Sequence, residues 1–476
     1  MTTLLSPTDT LTATLTINGE SVAGDNSFEV VNPATGLVFA TAPDASPAQL
    51  DAAFSAAQRA FSTWQGDEDF RRNALRNAAD VLGSAVDRIV PVLTAEQGKI
   101  LSESRREILG ATSWLRYYAD LELPREIVQD DEKVFSEKLR RPLGPVAAIT
   151  PWNVPVYIGV AKVAMALRAG NTVVLKPSPF APLSTLLVGE VLRDVFPPGV
   201  FNVISGNDQL GPLMTGHPLT RIISFTGSIP TGKRILASAA ADLKRVTLEL
   251  GGNDAAIVLA DADPEFTAAG IFGAAFSNTG QVCVGAKRIY VAEAIYPELV
   301  EALVAEARKA QVGNGADPDT DLGPLNNLPQ RNFVAELIAD ALATGGKVAT
   351  GGHVIDGPGY FHESTIITDV NDTSRIVAEE QFGPALPVMS FKTEDEAIAR
   401  ANDTEFGLAG SVWSADADHG VEVAARIEAG TVWINTHKAL SPRQPFAGRK
   451  WSGQGVEGGP WGLDGFTTPQ LVYRAR

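Results

Sequence analysis

The sequence predicts an α/β fold of two open domains, each with a largely parallel sheet. Three observations carry that expectation. From residue 145 onward, short apolar runs alternate with segments of helical period. The runs are apolar throughout rather than at every second residue, as in strands covered on both faces. A chain of 476 residues is long enough for two such domains, each with its own core. The composition, 45% hydrophobic and 20% charged, is that of a folded globular chain, without solenoid repeats or low-complexity stretches.

The elements follow in order. Residues 16–41 alternate apolar runs with turn residues, as in a small strand pair. After Ser46, the residues Asp51, Phe54, Ala57, Phe61 and Trp64 keep a period of about 3.6. A second helix is expected over Arg71–Val92 and a third over Ser102–Tyr118. Residues 125–143 are charged, hold short alternating pieces and break at Pro142, like an arm that leaves a domain and returns. Strands are expected at Val146–Thr150, Thr172–Lys176, Phe201–Ser205, Ile222–Phe225 and Val246–Leu250. Helices lie between them over Pro155–Leu167, Pro182–Val195 and from a turn at Gly227 to Ala241. A second block starts near Leu250. It has strands at Ala255–Leu259, Arg288–Val291, Leu386–Phe391 and Gly430–Ile434. Its helices cover Glu265–Phe276, Tyr296–Lys309, Leu328–Leu342 and Glu394–Asn402. The Gly- and Pro-rich tail from 440 closes with the strand-like Leu471-Val472-Tyr473.

Charge narrows the partners. Basic residues number 39 and acidic residues 56, a formal net charge of -17, which repels phosphate backbones and anionic lipid. Cys283 is the only cysteine, so neither an intrachain disulfide nor a Cys-based zinc site can form, and five scattered His suggest no metal cluster. Met1–Glu20 lacks the basic-then-apolar pattern of a signal peptide, and no apolar run reaches the length of a membrane span. The expectation is a soluble cytoplasmic protein with no metal, nucleic-acid or membrane partner.

Several residues can carry chemistry. Cys283 lies among small residues in Gly280-Gln281-Val282-Cys283; it is either an inert buried thiol or a nucleophile. Glu249 closes an apolar strand just before Gly251-Gly252, where open α/β sheets place their sites. It is either a general base with a raised pKa or a structural acid bonded to backbone N–H groups. Asn153, in Pro151-Trp152-Asn153, either donates to an oxyanion or caps the next helix. Lys176-Pro177-Ser178 follows a strand and suits a ribose or phosphate. Phe225-Thr226-Gly227-Ser228 reads as a strand, a turn and a helix start, which suits pyrophosphate. Glu380-Gln381-Phe382-Gly383-Pro384 either holds a ribose or is a surface loop with a core Phe.

These motifs, in this order, resemble the aldehyde dehydrogenase superfamily across nearly the whole chain, with Glu249-Leu250-Gly251-Gly252-Asn253 and Pro445-Phe446-Ala447-Gly448 completing the set. The resemblance implies two Rossmann-like domains and a strand arm. Residues 1–120 and 142–249 would bind cofactor, 250–440 would be catalytic, 121–141 and 467–476 would form an oligomerisation arm, and 441–466 would line the active site. It implies that the Cys283 thiolate attacks an aldehyde, with Asn153 and the Cys283 N–H holding the oxyanion. The thiohemiacetal would then give up a hydride, and Glu249 would activate water to hydrolyse the thioester. Relatives that acylate coenzyme A commonly lack this Glu, so a free acid is expected.

The cofactor residues implied are Thr150, Pro151, Trp152, Lys176, Ser178, Gly206, Phe225, Gly227, Ser228, Leu250, Gly251, Glu380 and Phe382. NAD is favoured. NADP stays open, because Pro179 stands where many NAD-preferring relatives have Glu. The positions lining the aldehyde tunnel, Val154, Ile158, Ala161 and Leu440 with Phe446, suit a medium aliphatic or aromatic aldehyde. Lys438 and Arg443 raise the alternative of an NADP-linked enzyme for a carboxylated semialdehyde. A homodimer or homotetramer is expected from the arm.

Overall fold

The computed structural model describes residues 13–476. The reading of Met1–Glu20 as free of a signal peptide rests mostly on residues 1–12, outside the described ones.

Among the described residues the first sheet has eight strands. Its centre is Arg245–Glu249, Ile222–Thr226, Pro145–Ile149, Thr172–Lys176 and Phe201–Val203, all parallel. Residues in the middle three are buried throughout, which explains the continuous apolar runs. The winding reverses between Pro145–Ile149 and Ile222–Thr226, whose successors run to opposite sides. At such a reversal the connecting segments diverge and leave a crevice beyond the carboxyl ends of the strands. Thr150 and Thr226 stand at that crevice. The edges are antiparallel: Leu15–Ile17 with Glu20–Val22 on one side, Gly453–Gln454 on the other.

The second sheet has seven strands among the described residues, parallel except at the Lys347–Thr350 edge. At its centre Asp254–Val258 lies between Ala286–Ala292 and Ala409–Trp413. A three-stranded antiparallel sheet joins Glu126–Asp130, Val134–Pro142 and the C-terminal Thr467–Ala475. Its last strand leaves Leu471 and Tyr473 exposed.

Local chemistry explains most boundaries. Ser46 caps the Pro47–Trp64 helix, and Gln49 returns the bond to the cap backbone. Gly170, at φ +96°, takes the left-handed turn after the Pro155–Arg168 helix. The single helix expected over Arg71–Val92 is two, Glu68–Ser84 and Val86–Gln97, which share Ala85 as their cap. Both bury apolar faces in one core, so the period runs through the break. The new direction packs the second helix on Leu183–Leu192. The strand Ala409–Trp413 was not anticipated, since Ala-Gly-Ser carries little β-propensity. The tail is more than a loop. Its Gly453–Gln454 strand pairs with Leu248 and Glu249, and Leu250 N–H donates to the Ser452 carbonyl at 2.8 Å. Among the described residues no helix is long and apolar enough to cross a membrane.

Candidate active site

Cys283 is presented by a tight left-handed turn. Asn278 (φ 48°), Thr279 (φ 55°) and Gly280 (φ 76°) follow one another there. A β-branched residue at positive φ is strained, so neighbouring bonds must hold it. The Thr279 hydroxyl donates to the Gly323 carbonyl at 2.8 Å, and Asn278 Nδ2 donates to the Asn153 carbonyl at 3.0 Å. A Cβ at Gly280 would lie 2.2 Å from the Gly383 carbonyl oxygen, so only glycine fits. Beyond the thiol, Lys287 Nζ donates to the carbonyls of Val282 (2.7 Å) and Cys283 (2.8 Å) and pairs with Glu380 at 3.0 Å. Burial pushes the Cys283 thiol up to about 12, and the Lys287 charge acts against it.

Asn153 is held beside this turn. Its Nδ2 donates to the Gln281 carbonyl at 2.8 Å, and its own carbonyl accepts from Lys99 Nζ at 2.6 Å. It does not cap the next helix. Val154 stands at the cap without a side-chain bond, and Glu107 Oε1 accepts from the N–H groups of Val156 (2.8 Å) and Tyr157 (3.2 Å). The second Nδ2 hydrogen and the Cys283 N–H have no acceptor among the described residues. Both are donors suited to an oxyanion on a carbon attacked by Cys283. Loss of one such donor typically costs about 3 kcal/mol of barrier.

Glu249 ends its strand 3% exposed, and among the described residues neither carboxylate oxygen has a hydrogen-bond partner. That sets aside a structural acid bonded to backbone N–H groups. Burial raises its pKa well above the usual carboxylate range; the nearby Glu457 adds to this, and Lys162 opposes it. Lys162 Nζ lies 2.6 Å from Glu457 Oε1 and 3.1 Å from Ser224 Oγ. Glu249, Glu457 and Cys283 line one cavity of about 290 Å³, with Val154, Ile158 and Phe446 in its wall. Trp114 and Tyr157 also line it and make it more aromatic than the sequence suggested.

The crevice at the first sheet gathers the residues expected to bind cofactor. Ser228 precedes the Ile229–Ala240 helix without capping its backbone, so the first N–H groups stay available to an anion. Thr150 and Thr226 hydroxyls are buried and have no partner among the described residues. The glycines keep the backbone close to its neighbours: a Cβ at Gly227 would meet the Phe225 ring at 2.4 Å, and one at Gly206 would meet Asp44 Oδ1 at 2.9 Å. Leu250 packs where a Cβ at Gly232 would fall, 2.7 Å away. A Cβ at Gly251 would lie 2.3 Å from Glu380 Oε2. Phe382, at φ 47°, meets Trp152 edge to face at 5.4 Å. Lys176 is buried at its strand end and donates to the Pro177 carbonyl at 3.3 Å, and Ser178 Oγ accepts from the Phe180 N–H. These donors and close backbone approaches fit a dinucleotide. Sequence reading passed over Lys287, Lys162 and Glu457, which sit in no motif.

Residues 21–472 match the model of the Aldehyde dehydrogenase family. Aldehyde dehydrogenase LUC3 from Fusarium is 40% identical over 460 residues, 96% of this chain and 97% of its own. A glutarate-semialdehyde dehydrogenase from Pseudomonas putida is 39% identical over 462 residues, 94% of this chain and 95% of its own. Among solved structures, a point mutant of betaine aldehyde dehydrogenase from Staphylococcus aureus in complex with NAD+ aligns with a TM-score of 0.94. It is 34% identical and covers 98% of this chain and 97% of its own. The chain belongs to the aldehyde dehydrogenase family. Its activity is the NAD(P)-dependent oxidation of an aldehyde to an acid.

Proposed function

We propose that the protein oxidises a medium-sized aliphatic or aromatic aldehyde to the free carboxylic acid, through a covalent intermediate on Cys283. The observation that carries this reading is the shared cavity. The only cysteine and a buried, unpartnered carboxyl face one apolar-walled space beside the dinucleotide crevice. The Cys283 thiol gives its proton to solvent and Sγ attacks the aldehyde carbon, while Asn153 Nδ2 and the Cys283 N–H stabilise the oxygen as it takes up charge. A bound nicotinamide supplies hydride acceptance. Lys287 fixes the carbonyl of the nucleophile and the Glu380 carboxylate together, so the loop and the ribose-binding acid keep one geometry. Glu249 then takes a proton from the water that cleaves the thioester, and the acid leaves.

Of the two cofactors, NAD is proposed. Pro179 offers no acid, but Asp208 and Asp44 lie near Lys176, whose ammonium burial pulls down to about 8 against their opposing influence. Two acids in that neighbourhood disfavour a 2′-phosphate. Initial rates with NAD and NADP over a panel of aliphatic and aromatic aldehydes, with product analysis with and without coenzyme A, test the reading. Expected are faster reduction of NAD and a free acid whether or not coenzyme A is present. An acyl-coenzyme A product would overturn it.

The arm supports a further part of the proposal, a homodimer or homotetramer. Among the described residues the strand Thr467–Ala475 pairs along one edge only, and its exposed Leu471 and Tyr473 offer apolar surface for a second copy. Light scattering should return two or four chain masses. A single-chain mass at micromolar concentration would count against it.

A further inference from the structure

The cavity above Cys283 holds two cations that the chemistry at its floor does not use. Arg106, on the Leu101–Asp120 helix, and Lys438, in the segment after Thr431–Ile434, both line it. Both also line the neighbouring surface depression, which places them where the cavity meets solvent. The chain has 39 basic against 56 acidic residues, so most cations have acids within reach. The neighbour Arg105 pairs with Asp87, and Lys99 pairs with Glu107. Among the described residues, no acid lies within ion-pair distance of Arg106 and its guanidinium has no hydrogen bond.

Lys438 is half-buried and held at φ 64°, an uncommon conformation for lysine. Among the described residues its ammonium makes one hydrogen bond, to Ser277 Oγ, and has two further N–H groups to give. Ser277 Oγ passes its own hydrogen to Glu103 Oε1 at 2.9 Å, and the same oxygen accepts from Asn278 N–H at 3.0 Å. Glu103 is therefore tied to the turn that presents Cys283. Burial lowers the proton affinity of Lys438; Glu103 opposes this, and Arg106 and Lys99 add to it. Lys99 pairs with Glu107 and Lys309 with Glu306, so at the mouth Glu103 and Asp321 stand against Arg106 and Lys438, neither of which is in an ion pair with an acid among the described residues.

We propose that Arg106 and Lys438 form a receptor for a carboxylate at the far end of the substrate, which makes the aldehyde an ω-oxo acid. The inference rests on the reading that the aldehyde reacts at Cys283. The guanidinium fork suits a carboxylate, and the ammonium supplies a second, charge-assisted donor. The methylene chain between the two ends lies along Ile158, Leu440 and Phe446. Arg443, the other cation that the tail offered, does not line the cavity, whereas Arg106, equally exposed, does and takes its place. Two cations without ion-pair partners at that end disfavour a quaternary ammonium tail.

The test uses three aldehydes of one chain length, ending in methyl, carboxylate or trimethylammonium. The native enzyme should show kcat/KM at least about tenfold higher for the carboxylate than for the methyl compound, and lowest for the cation. Higher ionic strength should narrow those gaps. Arg106→Gln and Lys438→Gln should each lower the carboxylate-to-methyl ratio of kcat/KM about tenfold, mainly through KM. Lys438→Arg should keep most of the ratio, and Lys438→Glu should turn the preference toward trimethylammonium. Equal kcat/KM for the carboxylate and methyl compounds would overturn the receptor and leave the Cys283 chemistry standing, as would a ratio that neither Gln variant moves. Absence of turnover with all three compounds would overturn both.

Discussion

Cys283→Ala should oxidise no aldehyde, with kcat down by about a millionfold, the scale of loss when a covalent nucleophile is removed. The chain has no second cysteine to take over, so residual activity cannot be assigned to another thiol. The variant should fold, because the turn before it is held by Thr279, Asn278 and Lys287 rather than by the sulfur. The geometry also sets a pH dependence. Burial raises the thiol to about 12, so in the free protein the thiolate fraction should grow about tenfold per pH unit through the neutral and alkaline range. Iodoacetamide should alkylate one site in the native chain at a rate that climbs with pH beyond the ordinary thiol range, and no site in the variant. Mass spectrometry and the absorbance of reduced cofactor check both halves. Aldehyde oxidation by the variant within a hundredfold of native would remove Cys283 from the chemistry.

How far the sequence reached depends on what kind of contact a residue makes. The strands at Thr172–Lys176 and Ile222–Thr226 were legible because burial on both faces forces a continuous apolar run. Cys283, Glu249 and Asn153 were legible as candidates because each lies in a short motif at a strand end or beside glycines. The structure adds what no motif encodes. Glu107 and not Asn153 serves the helix after Trp152, although Glu107 lies 49 residues before Val156 in the chain. Lys162 faces Glu457 from nearly three hundred residues away, a pairing that only the packing of the tail on the first sheet creates. Ala85 divides two helices without a breaker, since either side continues the same apolar stripe. Arg106 was passed over for a similar reason. A lone arginine on a charged helix face carries no signal until Lys438 is brought to the same cavity mouth.

Glu249→Gln separates acylation from hydrolysis. Both oxygens of Glu249 lack partners, so the amide forfeits no hydrogen bond and removes a carboxyl whose ionisation burial and Glu457 oppose. Stability should therefore hold or rise, and the variant reports on chemistry. The first turnover of reduced cofactor should survive, since attack by Cys283 and support from Asn153 remain. Steady-state turnover should then fall by about 10² to 10⁴, the usual contribution of a positioned general base. Mass spectrometry of the quenched enzyme should find the acyl group on Cys283. The native steady-state rate should rise with pH as Glu249 loses its proton, at a value above the ordinary carboxylate range, because only the ionised form can accept a proton from water. In the variant that limb should disappear. Glu457→Gln should shift it to lower pH, because the like charge that opposes ionisation of Glu249 is gone while Lys162 stays. Unchanged steady-state turnover in Glu249→Gln, with no acyl group trapped, would assign the hydrolytic proton to another acceptor.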